Sequence, residues 1–148
     1  MGYKNSEGYS DPTAGAAMSN IIREYKKEQR EKYARLKEIR HRPKVYIVSP
    51  FAGDTATNIK KARKYCRFAA GKKKNPIASH LLYPQFLNDA DETERELGLQ
   101  FGLALMSMCA EVWCFGKEKS AGMQQELERA RRHDMKIRYF TEDLEELV

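Results

Sequence analysis

Two regions of the chain differ in how their apolar residues are spaced. Between Ala16 and Arg40 the apolar residues are sparse and recur every three or four positions, which predicts one long helix with a narrow apolar stripe. From Lys44 onward, short apolar runs alternate with longer segments of helical spacing. The pattern therefore predicts two parts. Residues 1–43 form an extended arm, over the first fifteen residues, followed by an amphipathic helix, and residues 44–148 form an α/β domain.

The α/β domain is predicted from alternating strand and helix patterns. Four short apolar runs are typical of buried strands: residues 45–48, 76–79, 111–115 and 136–140. Helical spacing follows the first three of them, at residues 56–70, 91–109 and 120–133, and a short acidic helix is expected after the last. Such alternation indicates a small doubly wound parallel sheet, Rossmann- or flavodoxin-like, with helices on both faces. The helix at 91–109 is apolar on most sides, so we expect it to be deeply packed.

Composition excludes several classes of protein. No apolar run approaches the ~20 residues of a membrane span, and the 10% of aromatic residues argues against wholesale disorder. The three cysteines are odd in number and lack CxxC spacing, so neither a disulfide framework nor a zinc site is expected. We predict a cytoplasmic protein, in the host cytoplasm if phage-encoded, with no metal, no cofactor and no membrane partner.

The net charge of +6 is concentrated in two places. Residues 1–43 carry ten Lys or Arg against six Asp or Glu, and Lys60–Lys74 carries eight basic residues and no acid. A basic cluster attracts phosphates, either of nucleotides or of nucleic acid. A solvated helix face is the alternative interpretation. Nucleic acid is the less favoured partner, because no motif that reads it is present.

Candidate ligand-binding residues follow the carboxyl ends of the predicted strands, where open parallel sheets bind their ligands. The loop after the first strand, Ser49–Thr57, offers Ser49, Pro50, Phe51 and Asp54, and Asn58 follows it on the next helix. In the loop after the third, Ser120 is a helix N-cap, Gly122 lets a ligand approach the backbone, Met123 follows, and Glu126 points its carboxylate toward the same crevice. Alternatively, Glu126 only complements the helix dipole in solvent.

Several blocks in order resemble a known family. They are Val45–Phe51, Gly53-Asp54 with Asn58, Pro76–His80, Tyr83–Leu87, Glu94–Gly98 and Ser120-x-Gly122-Met123-x-x-Glu126. Together they are similar to nucleoside 2-deoxyribosyltransferases, and more closely to a phage-associated, uncharacterised branch of that superfamily. The lead-in from Tyr9 to Ala14 also looks like the openings of phage proteins. The resemblance implies the doubly wound fold.

The resemblance also implies roles for individual residues. Glu126 corresponds to the glutamate that attacks the anomeric carbon of deoxyribose, and Tyr46 to a tyrosine that orients it, although a buried core tyrosine is an equal alternative. Ser120 stands where classical members carry a sugar-binding aspartate. The candidates for an acid near the departing base are Asp89, Asp91 and His80, of which Asp91 also fits a helix N-cap completed by Glu94. His80 and Arg95 are in addition candidates for holding a phosphate.

Two functions follow as alternatives. In the first, the protein binds a nucleoside or nucleotide and cleaves or transfers its N-glycosidic bond through Glu126, as an N-glycosidase-like enzyme. In the second, a non-catalytic phage protein uses the same pocket to sequester a nucleotide or a cyclic ADP-ribose-type immune signal. The apolar stripe of the N-terminal helix, with Met18, Ile22, Tyr25, Leu36 and Ile39, predicts in either case a homo-oligomer formed through that helix.

Overall fold

The computed structural model describes residues 4, 6–8 and 11–148 and divides the chain into two compact units, Met1–His41 and Arg42–Val148. The first unit contains one helix, α1, which spans Pro12–Arg40. The predicted start at Ala16 was wrong by one turn. Asp11 caps the helix by accepting hydrogen bonds from the backbone N–H groups of Thr13 and Ala14, and a proline suits the first helical position.

The extended arm is therefore wrong from Pro12 onward. Residues 1–3, 5, 9 and 10, on which the rest of that arm and part of the phage-like lead-in fall, lie outside the described residues. Within α1, taken by itself, no residue is buried. No helix in the described part of the chain is long and apolar enough to cross a membrane.

The second unit has the predicted alternation of strands and helices. Its elements in chain order are β1 (Lys44–Val48), α2 (Thr55–Gly71), β2 (Asn75–Ile77), two 3-10 turns (Ser79–Leu81 and Tyr83–Gln85), α3 (Glu92–Met106), β3 (Glu111–Phe115), α4 (Ala121–Arg132), β4 (Lys136–Phe140) and β5 (Glu146–Leu147). The strands form one sheet in the order β2-β1-β3-β4-β5. The first four are parallel, and β5 pairs antiparallel with β4. This is the predicted Rossmann- or flavodoxin-like α/β fold.

The C-terminal segment departs from the prediction. In place of the acidic helix the chain turns at Leu144, which has a positive φ of 70°, and returns as β5. The guanidinium of Arg138 donates two hydrogen bonds of 2.7 Å to the carboxylate of Glu146 across the two strands. This bidentate pairing favours an extended partner strand over a solvated acidic helix.

Helix α3 is also less buried than its apolar composition predicts. Only Gly102 and Met106 are buried, whereas Leu97 and Phe101 stay 42% and 41% exposed. The prediction of a deeply packed helix was wrong, because only a narrow face of α3 packs against the core. Gly102 lies on that face, so the helix backbone itself comes close to the sheet.

The core has two layers, one on each face of the sheet. Alternate residues of β1 divide between them, with Tyr46 and Val48 facing α3 and α4 and Val45 and Ile47 facing α2. This is the alternation of side chains expected of a pleated strand with both faces covered.

Candidate active site

The strand order predicts a ligand-binding crevice between β1 and β3. The chain runs from β1 outward to β2 and then crosses back to β3, so the strand order reverses between these two central strands. Ligands of open parallel sheets bind at such a switch point, outside the carboxyl ends of the strands. The loop from Ser49 to Asp54 and the loop from Gly116 to Ser120 border this crevice.

The side chains of Tyr46 and Glu126 are in direct contact, although 80 residues separate them in sequence. The Tyr46 hydroxyl donates to Oε1 of Glu126 at 3.3 Å. Tyr46 reaches this point because β1 is a central strand, and Glu126 because it lies in the second turn of α4 on the face toward the sheet. The pairing predicted for these two residues is thus a direct contact.

Glu126 is an unusual core residue. It is only 5% exposed, and its second oxygen, Oε2, is buried with no hydrogen-bond partner among the described residues. Burial raises the pKa of Glu126 to about 8, against which the hydrogen bond from Tyr46 acts. Burial and the nearby carboxyl of Glu126 likewise raise the pKa of Tyr46 well above its usual value. A buried carboxyl with one oxygen unsatisfied is costly for folding, which makes it a candidate functional group.

Two further residues complete the cluster, and the sequence interpretation missed both as site residues. The Tyr46 hydroxyl lies 2.9 Å from Oγ of Ser79, which is 6% exposed. Gly102 of α3 packs against the same pair, since a Cβ at this position would lie 3.0 Å from the tyrosine oxygen and 3.2 Å from Cβ of Ser79. A glycine among the large apolar residues of α3 is the signal in the sequence that marks this close approach.

The loop after β1 is joined to the 3-10 turn after β2 by stacked rings. Phe51 and His80 stack with their centroids 4.9 Å apart and their planes 14° apart. Burial lowers the pKa of His80, while Asp89 and a hydrogen bond with the backbone of Ser49 act to raise it. Ser49 is itself buried, and Pro50 beside it is half-buried. Burial is the largest of these influences, so the pKa of His80 lies below its usual value.

Asp54 and Asn58 shape the same loop by local hydrogen bonds. The carboxylate of Asp54 caps α2 by accepting from the backbone N–H and the hydroxyl of Thr57, and these bonds lower its pKa. The side-chain amide of Asn58 donates to the backbone oxygens of Phe51 and Ala52. Both residues fix the loop's conformation.

The loop before α4 behaves partly as predicted. Ser120 is the N-cap, with its hydroxyl accepting from the backbone N–H of Met123 at 3.3 Å. Met123, on α4, is buried in the core layer between the sheet and the helices α3 and α4. Gly122 is exposed, and no atom lies within 4 Å of where its Cβ would be, so this surface is open.

Asp91 and Arg95 are not brought to Glu126. Asp91 is exposed and caps α3 by accepting from the N–H groups of Thr93 and Glu94. The expected capping box is not formed, because Glu94 accepts instead from the N–H of Asn88. Arg95 is exposed, and in the described part of the chain no hydrogen bond or ion pair joins it or Asp91 to Glu126.

The basic cluster is partly neutralised by the C-terminal turn. Lys61 forms an ion pair of 3.1 Å with Glu142, and Lys64 donates to the backbone oxygen of the same residue at 2.7 Å. The three cysteines are free thiols, and burial raises the pKa of each to about 11. Among the described residues no group of three His, Cys, Asp or Glu is placed to hold a metal ion.

The fold and the switch point together define a doubly wound α/β domain of the class that binds ligands at the carboxyl ends of its strands. Residues 43–140 match the family described as "Domain of unknown function (DUF7768)", and the chain belongs to that family. Its fold is similar to that of a 2-deoxyribosyltransferase from Bacillus psychrosaccharolyticus, with a TM-score of 0.56 and 14% identity over 66% of this chain and 72% of the other.

A 2-deoxyribosyltransferase from Leishmania mexicana aligns with a TM-score of 0.48 and 14% identity, over 67% of this chain and 64% of the other. No curated protein sequence matches the chain. At 14% identity the similarity concerns the fold alone, so the chemistry of the site has to be argued from its own residues.

Proposed function

We propose that the protein binds a nucleoside or nucleotide in the crevice between β1 and β3 and cleaves or transfers its N-glycosidic bond through Glu126. One observation carries this proposal: the carboxyl of Glu126 is buried and contacts the hydroxyl of Tyr46, and its Oε2 has no partner among the described residues. The similar enzyme from Bacillus psychrosaccharolyticus is a 2-deoxyribosyltransferase and a biocatalyst for nucleoside synthesis. The shared fold supports a nucleoside as the ligand of this protein.

The chemistry suits a carboxylate at this place. An ionised Glu126 stabilises positive charge that develops at the anomeric carbon and then forms an ester bond there, while the base departs with the bonding electrons. Water or a second base displaces the carboxylate in the next step. Only the ionised form attacks, so a pKa of about 8 predicts that turnover rises with pH toward that value.

Sequestration without turnover is the second candidate, and two observations favour it. A Glu126 with a pKa of about 8 is mostly protonated at neutral pH and then acts as a hydrogen-bond donor to a ligand. Ser120 in addition places a hydroxyl, bonded to its own helix, at the position of the sugar-binding aspartate of the resembling family. A phage origin and a cyclic ADP-ribose-type ligand are finer hypotheses within this candidate.

One experiment separates the two candidates. The protein is incubated with nucleosides, nucleotides and NAD-derived cyclic molecules at pH 7 and pH 8.5, and both the solution and the heat-released fraction are analysed by chromatography. New free base or sugar supports the enzyme, and unchanged ligand released only by heat supports sequestration. Neither product nor retained ligand across the panel would contradict both.

Matched variants assign the result to Glu126. We expect Glu126→Gln to lower turnover by orders of magnitude with little loss of binding if Glu126 is the nucleophile. If the protein only sequesters, the same change weakens binding by about 1–3 kcal/mol. Glu128→Gln is the control, since Glu128 lies on the same helix but is exposed and pairs with Arg132. Equal effects of the two changes would remove Glu126 from the site.

We also propose that residues 1–43 assemble copies of the chain through α1. In α1 the side chains of Ile21, Tyr25 and Tyr33 are 61% to 62% exposed. Met18, Ile22, Tyr25, Leu36 and Ile39 fall on the alternating four- and three-residue spacing of a helix-to-helix seam, continued between them by Gln29 and Lys32. Light scattering of a chain lacking residues 1–41 should show a smaller assembly than the full chain. An unchanged number of subunits would contradict this role.

A further inference from the structure

The hydroxyl of Tyr46 lies between two oxygens but carries a single proton. It is 2.9 Å from Oγ of Ser79 and 3.3 Å from Oε1 of Glu126. An ionised carboxylate can only accept hydrogen bonds, whereas a serine hydroxyl can donate or accept. When Glu126 is ionised, Tyr46 donates to the carboxylate, and Ser79 is then the partner that can turn its proton toward the tyrosine oxygen.

The surroundings hold this pair of hydroxyls at a fixed distance. Tyr46 is completely buried and Ser79 nearly so. Gly102 brings the backbone of α3 against both residues, so that even a methyl group there would press on the tyrosine oxygen and on Ser79. Side chains confined in this way lose little further freedom when they form a hydrogen bond, which makes the contact more effective than a surface contact.

We propose that Ser79 is a positioning residue of this site, whose hydroxyl donates to Tyr46 and thereby directs the single tyrosine proton to Oε1 of Glu126. The proposal builds on the proposed function, in which Glu126 is the reacting group. In the neutral state of Glu126 the tyrosine proton points to Ser79, the nearer oxygen. Ionisation releases one proton from Glu126 to solvent, and the two hydroxyl protons rotate without leaving their oxygens. A hydrogen bond that ends on an ionised carboxylate is stronger than one between neutral groups, and the proton donated by Ser79 polarises the tyrosine hydroxyl and strengthens that bond further. Ser79 therefore favours the ionised form of Glu126, which is the form that a nucleophile requires.

Other titratable groups face the cluster from the remaining elements. Cys114 lies on β3, and Cys109 follows α3, and both thiols stay neutral between pH 6 and pH 9 because burial raises the pKa of each to about 11. Lys119 and Arg131 act electrostatically on the thiol of Cys114. Between pH 6 and pH 9 a carboxyl titration in this cluster reports on Glu126.

The test measures the ionisation of Glu126 without any substrate. Protein labelled with 13C at the glutamate carboxyl carbon is titrated by NMR from pH 5 to pH 10, and Glu126→Gln assigns the resonance. We expect Ser79→Ala to weaken proton dissociation from Glu126 by about threefold to tenfold, which corresponds to the difference in strength between a charge-assisted and a neutral hydrogen bond. Ser107→Ala, a serine at the end of α3 bonded to the backbone of Ala104, is the control and should change nothing.

A double variant shows whether the effect passes through the tyrosine. In Tyr46→Phe the link is cut, so adding Ser79→Ala should leave the ionisation of Glu126 unchanged within about twofold. An undiminished effect of Ser79→Ala in the Tyr46→Phe background would overturn the proposal, because it would show that Ser79 acts through packing. So would an unaltered titration in folded Ser79→Ala.

A failure of the proposed function can be distinguished from a failure of the positioning role of Ser79. If the wild-type chain has no turnover, the titrations still decide the hydrogen-bond arrangement. If turnover is found, Ser79→Ala should move the rising limb of the kcat/KM profile to higher pH by the same factor, with KM nearly unchanged. A lower kcat/KM with an unmoved pH limb would reject the positioning role while leaving the enzyme proposal intact.

Discussion

On the face covered by α2 the sheet packs rings against rings, whereas the face covered by α3 and α4 encloses polar side chains. Phe115 stacks on Tyr65 at 4.2 Å and on Phe140 at 5.0 Å between centroids. At the edge of this face the indole N–H of Trp113 donates to Glu111 at 2.8 Å. Among the described residues no fully buried side-chain polar atom of this face lacks a hydrogen-bond partner, and the packing is that of a core.

The opposite face of the same sheet contributes Tyr46 to a polar cluster that Ser79 and Glu126 complete from a 3-10 turn and from α4. One carboxylate oxygen there has no partner among the described residues, and α3 comes close enough to exclude a methyl group. Such an arrangement lowers stability, since a buried polar atom without a hydrogen bond costs about 1–3 kcal/mol. The comparison indicates that the α2 face stabilises the domain, while the α3 and α4 face loses stability at the buried polar cluster around Glu126.

Phe115→Ala tests the stabilising face and should have the largest effect. The side chain is fully buried and touches three aromatic rings, so we expect a loss of about 3–5 kcal/mol in the free energy of unfolding. Urea denaturation at pH 7 measures it. Phe115→Leu, which leaves less empty space, should lose less. A loss below about 1 kcal/mol for the alanine variant would show that this face does not carry the core.

Glu126→Gln tests the other face through the pH dependence of stability. The folded pKa of Glu126, about 8, is above its ordinary value, so the folded state binds the extra proton and stability falls as pH rises from about 4.5 to about 8. The slope is roughly 1 kcal/mol per pH unit for one proton. The glutamine variant should lose this slope and be the more stable protein at pH 8.5.

Urea denaturation of both proteins from pH 6 to pH 9 gives the slope as a difference. His80, whose lowered pKa also makes stability depend on pH at the acidic end, is present in both proteins and cancels. Parallel profiles would mean that Glu126 titrates normally and that the two faces do not differ in this respect.

A pair of glycines in α3 separates crowding from helix propensity. Gly102→Ala should cost about 1–3 kcal/mol, because its Cβ would press on Tyr46 and Ser79. Gly98→Ala meets only Leu87 at 3.6 Å, an ordinary contact, and should stabilise the helix by up to ~1 kcal/mol. Thermal denaturation compares the two. Equal stabilisation would show that the α3 face has room to relax.

Sequence patterns predicted the α2 face better than the other. The sequence predicted β1 and α2 because both depend on local patterns, namely the apolar run Val45–Val48 and the helical spacing that follows it. The structure contains both elements. The conformation of the segment after Phe140 was mispredicted because it depends on the pairing of Arg138 with Glu146 across two strands. Local propensity cannot indicate such a partner.

The candidate site was predictable only in part. Spacing placed Glu126 near a helix start, but an exposed crevice glutamate was expected there, and the buried contact with Tyr46 depends on how α4 rotates against the sheet. Ser79 was predicted to be a strand residue, and its contacts with Tyr46 and Gly102 depend on how α3 packs against the 3-10 turn. Asp91 illustrates the opposite case, since its local capping pattern accounts for its contacts.

Arg138→Lys should produce the smallest effect and sharpens the contrast on the stabilising face. The guanidinium lies 4.8 Å from the centroid of the Trp113 ring and pairs with Glu146 through two hydrogen bonds. Lysine keeps the charge but loses the planar fork, and the pair is partly exposed, so we expect a loss under ~1 kcal/mol that shrinks at high salt. The Arg138 guanidinium packs against Trp113 and pairs with Glu146, away from Glu126. The variant should therefore keep the wild-type slope of unfolding free energy against pH between pH 6 and pH 8. Urea denaturation at low and high salt measures both quantities. A changed slope would mean that ionisation at Glu126 is felt across the sheet, and the two faces would then have to be treated as one electrostatic unit.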